Sequence, residues 1–181
     1  MKKNKTVKTG MLVAIGFLAV GFAAVTTTLN INGTAVIGSN SDEFNENVVF
    51  STETGKAPTL VDSTTKTTTA PTVSADGKTI TFQTPAMDTI NETVTLTYSV
   101  QNNSSEYNAK LGEMTCTVTG DNAADYVSVT PANTLKDAVV NTGSTSATPD
   151  TVVVKMLKSY VGDTNASYTI TCNMDATAVE K

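Results

Sequence analysis

The chain has 181 residues, room for one domain and a small appendage. It carries 12 basic residues, all Lys, with no His and no Trp, and Thr, Ser and Asn together supply 63 residues, a share far above the ordinary background. Without His there is no Ser-His-Asp or Cys-His nucleophile system and no imidazole metal site, and without Arg there is no arginine finger, bidentate phosphate clamp or ordinary DNA-reading surface. Composition therefore points away from an enzyme.

Lys2, Lys3, Lys5 and Lys8 precede an uncharged apolar run of 15 residues, Met11 to Val25. A spanning helix needs about 20 residues, so this run is short. A basic start, an apolar stretch and small residues at its end fit a secretory signal peptide over residues 1–24, with Gly21-Phe22-Ala23 as the small-x-small site. The alternative is an uncleaved anchor with its lysines inside, and membrane contact is expected only through this segment. A prepilin-type cleavage after Gly10 is the weakest option, because Ile15 stands where such leaders usually carry Glu. No Cys adjoins the cleavage region and the final TAVEK is no sorting sequence, so neither lipid nor covalent wall anchoring is expected. The first acidic residue is Asp42; beyond the leader, 8 Lys face 17 Asp and Glu, a net charge of −9. Such a chain repels nucleic acid and anionic headgroups and stays soluble by self-repulsion.

Beyond the leader, β-forming residues alternate with period 2. Thr28 to Ile37 places Leu29 and Ile31 on one face, and Gly33 then permits a bulge or kink. Val48 to Ser51 is a short apolar run. Thr79 to Thr84 turns Ile80 and Phe82 inward after an Asp76-Gly77 turn. Thr93 to Gln101 is the clearest strand, with Val94, Leu96, Tyr98 and Val100 on one face and hydroxyl residues on the other. Met114 to Thr119, Tyr126 to Thr130 (stopped by Pro131), Thr151 to Leu157 and Ser167 to Met174 complete about eight strands. The best helical candidate is one short turn within Ala132 to Val140. Ser63 to Ala75 and Asn141 to Asp150 read as Ser/Thr/Pro loops. The expected fold is all-β, an antiparallel sandwich of jelly-roll or Ig-like type, over residues 41–181. A strand-like arm over residues 25–40 precedes it.

Chemistry is scarce. Cys116 and Cys172 are the only cysteines, each mid-strand. A bridge would close a loop of about 57 residues, worth roughly 4 kcal/mol in the chain-entropy model. An exported chain with an even count favours that bridge; two buried thiols acting as small hydrophobes are the alternative. Asp42, Glu43 and Glu46 gather oxygen ligands that could suit Ca²⁺, but the spacing fits no EF-hand, and a solvated acidic loop is the plainer reading. No cofactor is expected. Asn-x-Ser/Thr sites, among them Asn32, Asn91, Asn103 and Asn165, carry no information in a chain so rich in Asn, Ser and Thr. Lys155 could form an amide with an Asn, or simply sit on the solvent face of its strand.

Thr26 to Ile37 follows the predicted cleavage site. A free β-branched terminus can be the first strand of its own sandwich, or can pair with the edge of a neighbour. Head-to-tail repetition of the second contact does not close and builds a filament. The polymerisation candidates are Thr28, Leu29, Asn30, Ile31, Thr34 and Val36.

This layout resembles the TasA/camelysin family of exported bacterial matrix-fibre proteins. The resemblance is carried by the leader running straight into a strand, by Thr84-Pro85-Ala86-Met87-Asp88, and by the stretch Thr93 to Leu111 with its polar Asn102 to Ser105. Pro85 and Asp88 would stand for the family's turn, whose Gly is missing here, and Tyr98 and Val100 for its strand. The resemblance implies a jelly-roll sandwich and donor-strand fibres in a biofilm matrix. The metalloprotease activity described for camelysin-like members does not carry over, since the chain has no His. The expected role is a secreted structural subunit whose partners are copies of itself or other matrix and surface components. The alternative is a monomeric cell-surface adhesin or ligand-binding module.

Overall fold

The computed structural model describes residues 26–31, 42–161 and 165–181, the first of these by backbone pairing. Fourteen strands and two short helices lie in the described residues, arranged as three sheets whose buried faces meet in one core. The predicted leader, residues 1–24, and the predicted strand positions Thr34 and Val36 lie outside them.

The largest sheet is built around β14 (Thr169–Val179). On one side of β14 stands β1 (Thr26–Ile31), followed by β5 (Thr79–Thr81) and β4 (Thr72–Val73). On the other side β14 takes two partners in succession. β9 (Thr115–Thr119) pairs its first half, and β8 (Asn108–Leu111), which also pairs β11 (Val139–Val140), takes its second half. The second sheet has the order β10 (Val127–Pro131), β13 (Asp150–Met156), β6 (Thr93–Tyr98), β3 (Thr59–Asp62). The third joins β12 (Ser144–Thr145), β7 (Val100–Asn102) and β2 (Val48–Phe50). Every described pair is antiparallel except β1 with β5.

The alternation seen in the sequence is the cause of the core. Val94, Leu96 and Tyr98 of β6 are buried, while Thr93, Thr95 and Thr97 are half-buried on the other face. The same holds for Val152, Val154 and Met156 of β13, and for Ile170, Cys172, Met174 and Ala176 of β14. The stretch Thr93 to Gln101 is not one strand, however. It breaks at the buried Ser99, whose carbonyl accepts from Ser51 N at 2.9 Å, and the chain passes there from the second sheet to the third.

The acidic stretch is not a solvated loop. It forms α1 (Asp42–Asn47), which buries Phe44 and Asn45. Its Phe44 packs edge-on to Tyr107 at 6.3 Å between centroids. A second short helix, α2 (Ala123–Tyr126), precedes β10. The Ala132 to Val140 candidate forms two successive hydrogen-bonded turns rather than a helix, with Lys136 N donating to Asn133 O at 3.3 Å and Ala138 N to Leu135 O at 3.0 Å, before β11 begins. The stretch Ser63 to Ala75, predicted as loop, contains β4, and Asn141 to Asp150 contains β12 and the first residue of β13.

Candidate assembly site

β1 is an interior strand. Six of its residues pair with β14, from Thr26 opposite Thr177 to Ile31 opposite Cys172. Asn30 and Ile31 also pair in parallel with Thr79 and Ile80 of β5. The register places Leu29 and Ile31 in rows whose β14 members, Met174 and Cys172, are buried, and Ile80 is buried as well. These are the two residues that the sequence pattern puts on one face. Among the described residues β1 is also the one strand that joins β14 to the β5–β4 hairpin. Of the predicted arm, Thr28, Leu29, Asn30 and Ile31 therefore occupy a slot within the large sheet.

The far wall of this slot is stapled. Cys116 of β9 and Cys172 of β14 are directly opposed and form a disulfide, with Cα atoms 4.0 Å apart. Directly opposed residues of an antiparallel pair are the positions that bring two Cβ atoms together. Ile31, Cys172 and Cys116 thus lie in one row across three strands. Of the two readings that the sequence left open, the bridge holds. Such a bridge belongs to an oxidising, non-cytosolic setting. Among the described residues no helix is long and apolar enough to cross a membrane.

Past the row of Ile31 the slot opens into a cleft of about 550 Å³. One wall is the irregular segment after β5, Phe82 to Asp88; the other includes Asn165 to Tyr168 and leads into β14. The floor is apolar, with Val127, Val154, Met156 and Ile170. Three of the five tyrosines gather here. Tyr126 stacks on Tyr168 with centroids 6.2 Å apart, Tyr160 meets Tyr126 edge-on at 5.6 Å, and Lys158 Nζ lies 5.4 Å over the Tyr126 ring. Gly120 backs this stack, since a Cβ there would come within 2.8 Å of Tyr168 Cδ1. Tyr98 and Tyr107 pack instead on Phe50 and Phe44.

A buried charge cluster fixes the Phe82 to Asp88 wall. The Glu92 side chain is fully buried and accepts from Asp88 N at 2.9 Å, Thr89 N at 3.1 Å and Lys66 Nζ at 2.7 Å. Lys66 Nζ also donates to Ala86 O at 2.8 Å and pairs with Asp88 Oδ1 at 3.0 Å. The bond to Glu92, then that to Asp88, raises the Lys66 pKa above the ordinary lysine value despite some desolvation. A sequence pass finds no such cluster, because its members come from two loops that only the fold brings together.

Of the Ca²⁺ candidates, Glu43 is otherwise engaged. Glu43 accepts from Ser104 Oγ and Ser105 N, each at 2.7 Å; burial pushes its carboxyl up, but these hydrogen bonds outweigh it and the pKa falls below the usual carboxylate value. Among the described residues no three acidic, His or Cys side chains are grouped to hold a metal ion. Lys155 sits half-exposed between Ser128 and Thr93, with no Asn in its row. Comparison with protein-family models, with curated proteins and with solved structures finds no match.

Proposed function

We propose that the chain is a secreted structural protein, the subunit of an extracellular matrix or surface fibre that grows by β-strand addition. One observation carries this reading. β1, the first described strand, completes the large sheet by bridging β14 and β5, and it does so with the only parallel pairing among the described strands. A strand paired through its backbone on both sides, in a slot beside buried rows of β14 and β5, can be supplied equally well by a neighbouring copy. Exchange in the head-to-tail sense leaves each subunit with one filled slot and one donated arm, an open chain. The resemblance to the TasA/camelysin family agrees with this, and the disulfide agrees with export.

The test is negative-stain electron microscopy of residues 24–181 with a free N-terminus, beside the same chain carrying a bulky N-terminal fusion. Filaments in the first and monomers in the second are expected. A chain that stays monomeric at high concentration over a range of pH and salt would move the adhesin reading to first place. That second reading draws on the three tyrosines and the polar residues Gln83 and Asn165 around the cleft, a lining of the kind that suits glycans.

A further inference from the structure

The tyrosine cluster stands at one end of the β10–β13 ladder. Leu157 N donates to Tyr126 O at 2.8 Å, which carries the pairing one step past Val127 and Met156. Tyr126 is the last residue of α2, and Tyr160 lies three residues beyond Leu157. The two rings are thereby held side by side, with centroids 5.6 Å apart and planes at 73°. Tyr168, just before β14, stacks on Tyr126 with planes at 16°. Tyr98 and Tyr107 meet phenylalanine rings instead, which carry no phenol. We propose that Tyr126 and Tyr160 are an oxidative cross-linking site, joined as an intramolecular dityrosine by a haem peroxidase with hydrogen peroxide.

Each phenol gives one electron to the peroxidase and its hydroxyl proton to water. The two phenoxyl radicals couple through carbons ortho to oxygen. The two ortho hydrogens then leave as protons while the oxygens regain theirs. In balance, two phenols and one hydrogen peroxide give one biaryl and two waters. Position singles out this pair. Tyr160 is 45% exposed, between exposed Ser159 and Val161, so oxidation begins there from solvent. Tyr126 is half-buried, and its electron and proton pass to the Tyr160 radical across the ring contact. A second oxidation of Tyr160 sets two radicals side by side. A biaryl twists its rings about the new bond, which the 73° pair approaches more nearly than the 16° stack. Desolvation, and then the Tyr126 and Tyr160 phenols, raise the Tyr168 pKa, so Tyr168 holds its proton and is a poorer electron donor. The Cys116–Cys172 bridge belongs to the same oxidising setting. The cross-link would tie α2 to the segment after β13 at the cleft, whichever way copies of the chain associate.

The test treats dilute folded protein, freed of assemblies by gel filtration, with a haem peroxidase and limiting hydrogen peroxide. Free tyrosine in a parallel reaction shows that the peroxidase turns over. The monomer is expected to lose two hydrogens by intact mass and to gain dityrosine fluorescence at a rate independent of protein concentration. Digestion should release one cross-linked peptide pair, Tyr126 with Tyr160. Oxidation of Met87 or Met156 on the same cleft adds oxygen instead and is told apart by mass. Tyr160→Phe keeps the ring and should abolish the monomer's fluorescence without a change in melting. Tyr107→Phe should leave it as in wild type. A cross-link through any other pair, dityrosine found only between molecules, or fluorescence that survives in Tyr160→Phe overturns the site. So does the absence of dityrosine from the folded protein while free tyrosine couples.

Discussion

Lys78 is buried at the start of β5 and donates to the Val48 carbonyl. Desolvation lowers its pKa to about 8, against the pull of Asp76 and Glu46, the acidic groups that face it. Between that value and the ordinary lysine pKa the unfolded chain binds more protons than the folded one, so stability rises with pH across that window. Below about pH 8 the full penalty is present. Urea midpoints should therefore climb from neutral pH toward pH about 10, and the climb should flatten in Lys78→Met. A midpoint that falls over the same range would count against the assignment. Asp150 is a second residue with wide reach. It is buried and accepts from Tyr98 Oη at 3.3 Å, Thr134 N at 3.2 Å and Leu135 N at 3.3 Å. Asp150→Ala strands these donors and should cost about 3 kcal/mol by chemical denaturation, against about 1 for Tyr98→Phe. Glu92→Ala leaves the Asp88 and Thr89 backbone N–H groups without their acceptor and takes from Lys66 its buried counter-charge, though Lys66 keeps Ala86 O and Asp88; a loss of about 3 kcal/mol is expected, with the cleft wall loosened in amide exchange.

At the level of elements, the bridge between β9 and β14 closes a loop with a sequence separation of 56. Cys116→Ser with Cys172→Ser should lower stability by roughly 4 kcal/mol, measured as a shift in denaturant midpoint at constant slope. A much smaller loss would mean that the unfolded chain is already compact. Strands with a strict period were legible in the sequence. β6, β13 and β14 follow their alternation, and the two Cys fall where an opposed pair needs them. Other elements were hidden for physical reasons. β3 buries Asp62 beside Leu60, so a charged residue occupies a core position and breaks the pattern. β4, β11 and β12 have two residues each, too few for any period. Phe44 anchors α1 alone within acidic and amide neighbours, which reads as loop until the Ser104–Ser105 contacts of Glu43 are seen. The arm was legible as a strand at Thr28 to Ile31. Its interior place was not, since a parallel pairing with β5 leaves no mark on the sequence of either strand.

For the whole molecule, charge opposes association. Residues 25–181 carry a net charge of −9, and copies brought end to end repel. Raising ionic strength from about 0.01 M to about 0.15 M shortens the screening length from about 30 Å to about 8 Å, so assembly should accelerate several-fold with little change in monomer stability. Assembly rates in a salt series, with melting recorded alongside, check this; a rate that falls with salt would point to attraction between unlike patches instead. The sandwich tolerates the charge because its core is closed by all three sheets, with Phe50, Leu96, Leu111 and Met174 fully enclosed.

The orientation of β1 has a mechanical consequence. In a filament joined by that strand, tension runs along the strand axis, parallel to β5 and antiparallel to β14. Pulling in that direction loads the ladder bonds together, in shear, rather than unzipping them one by one. The disulfide, in the same row as Ile31, ties the loaded strand's neighbour to β9 and spreads the force to a third strand. A joint made of backbone hydrogen bonds becomes, under load, a tether that yields only when the whole interface slips.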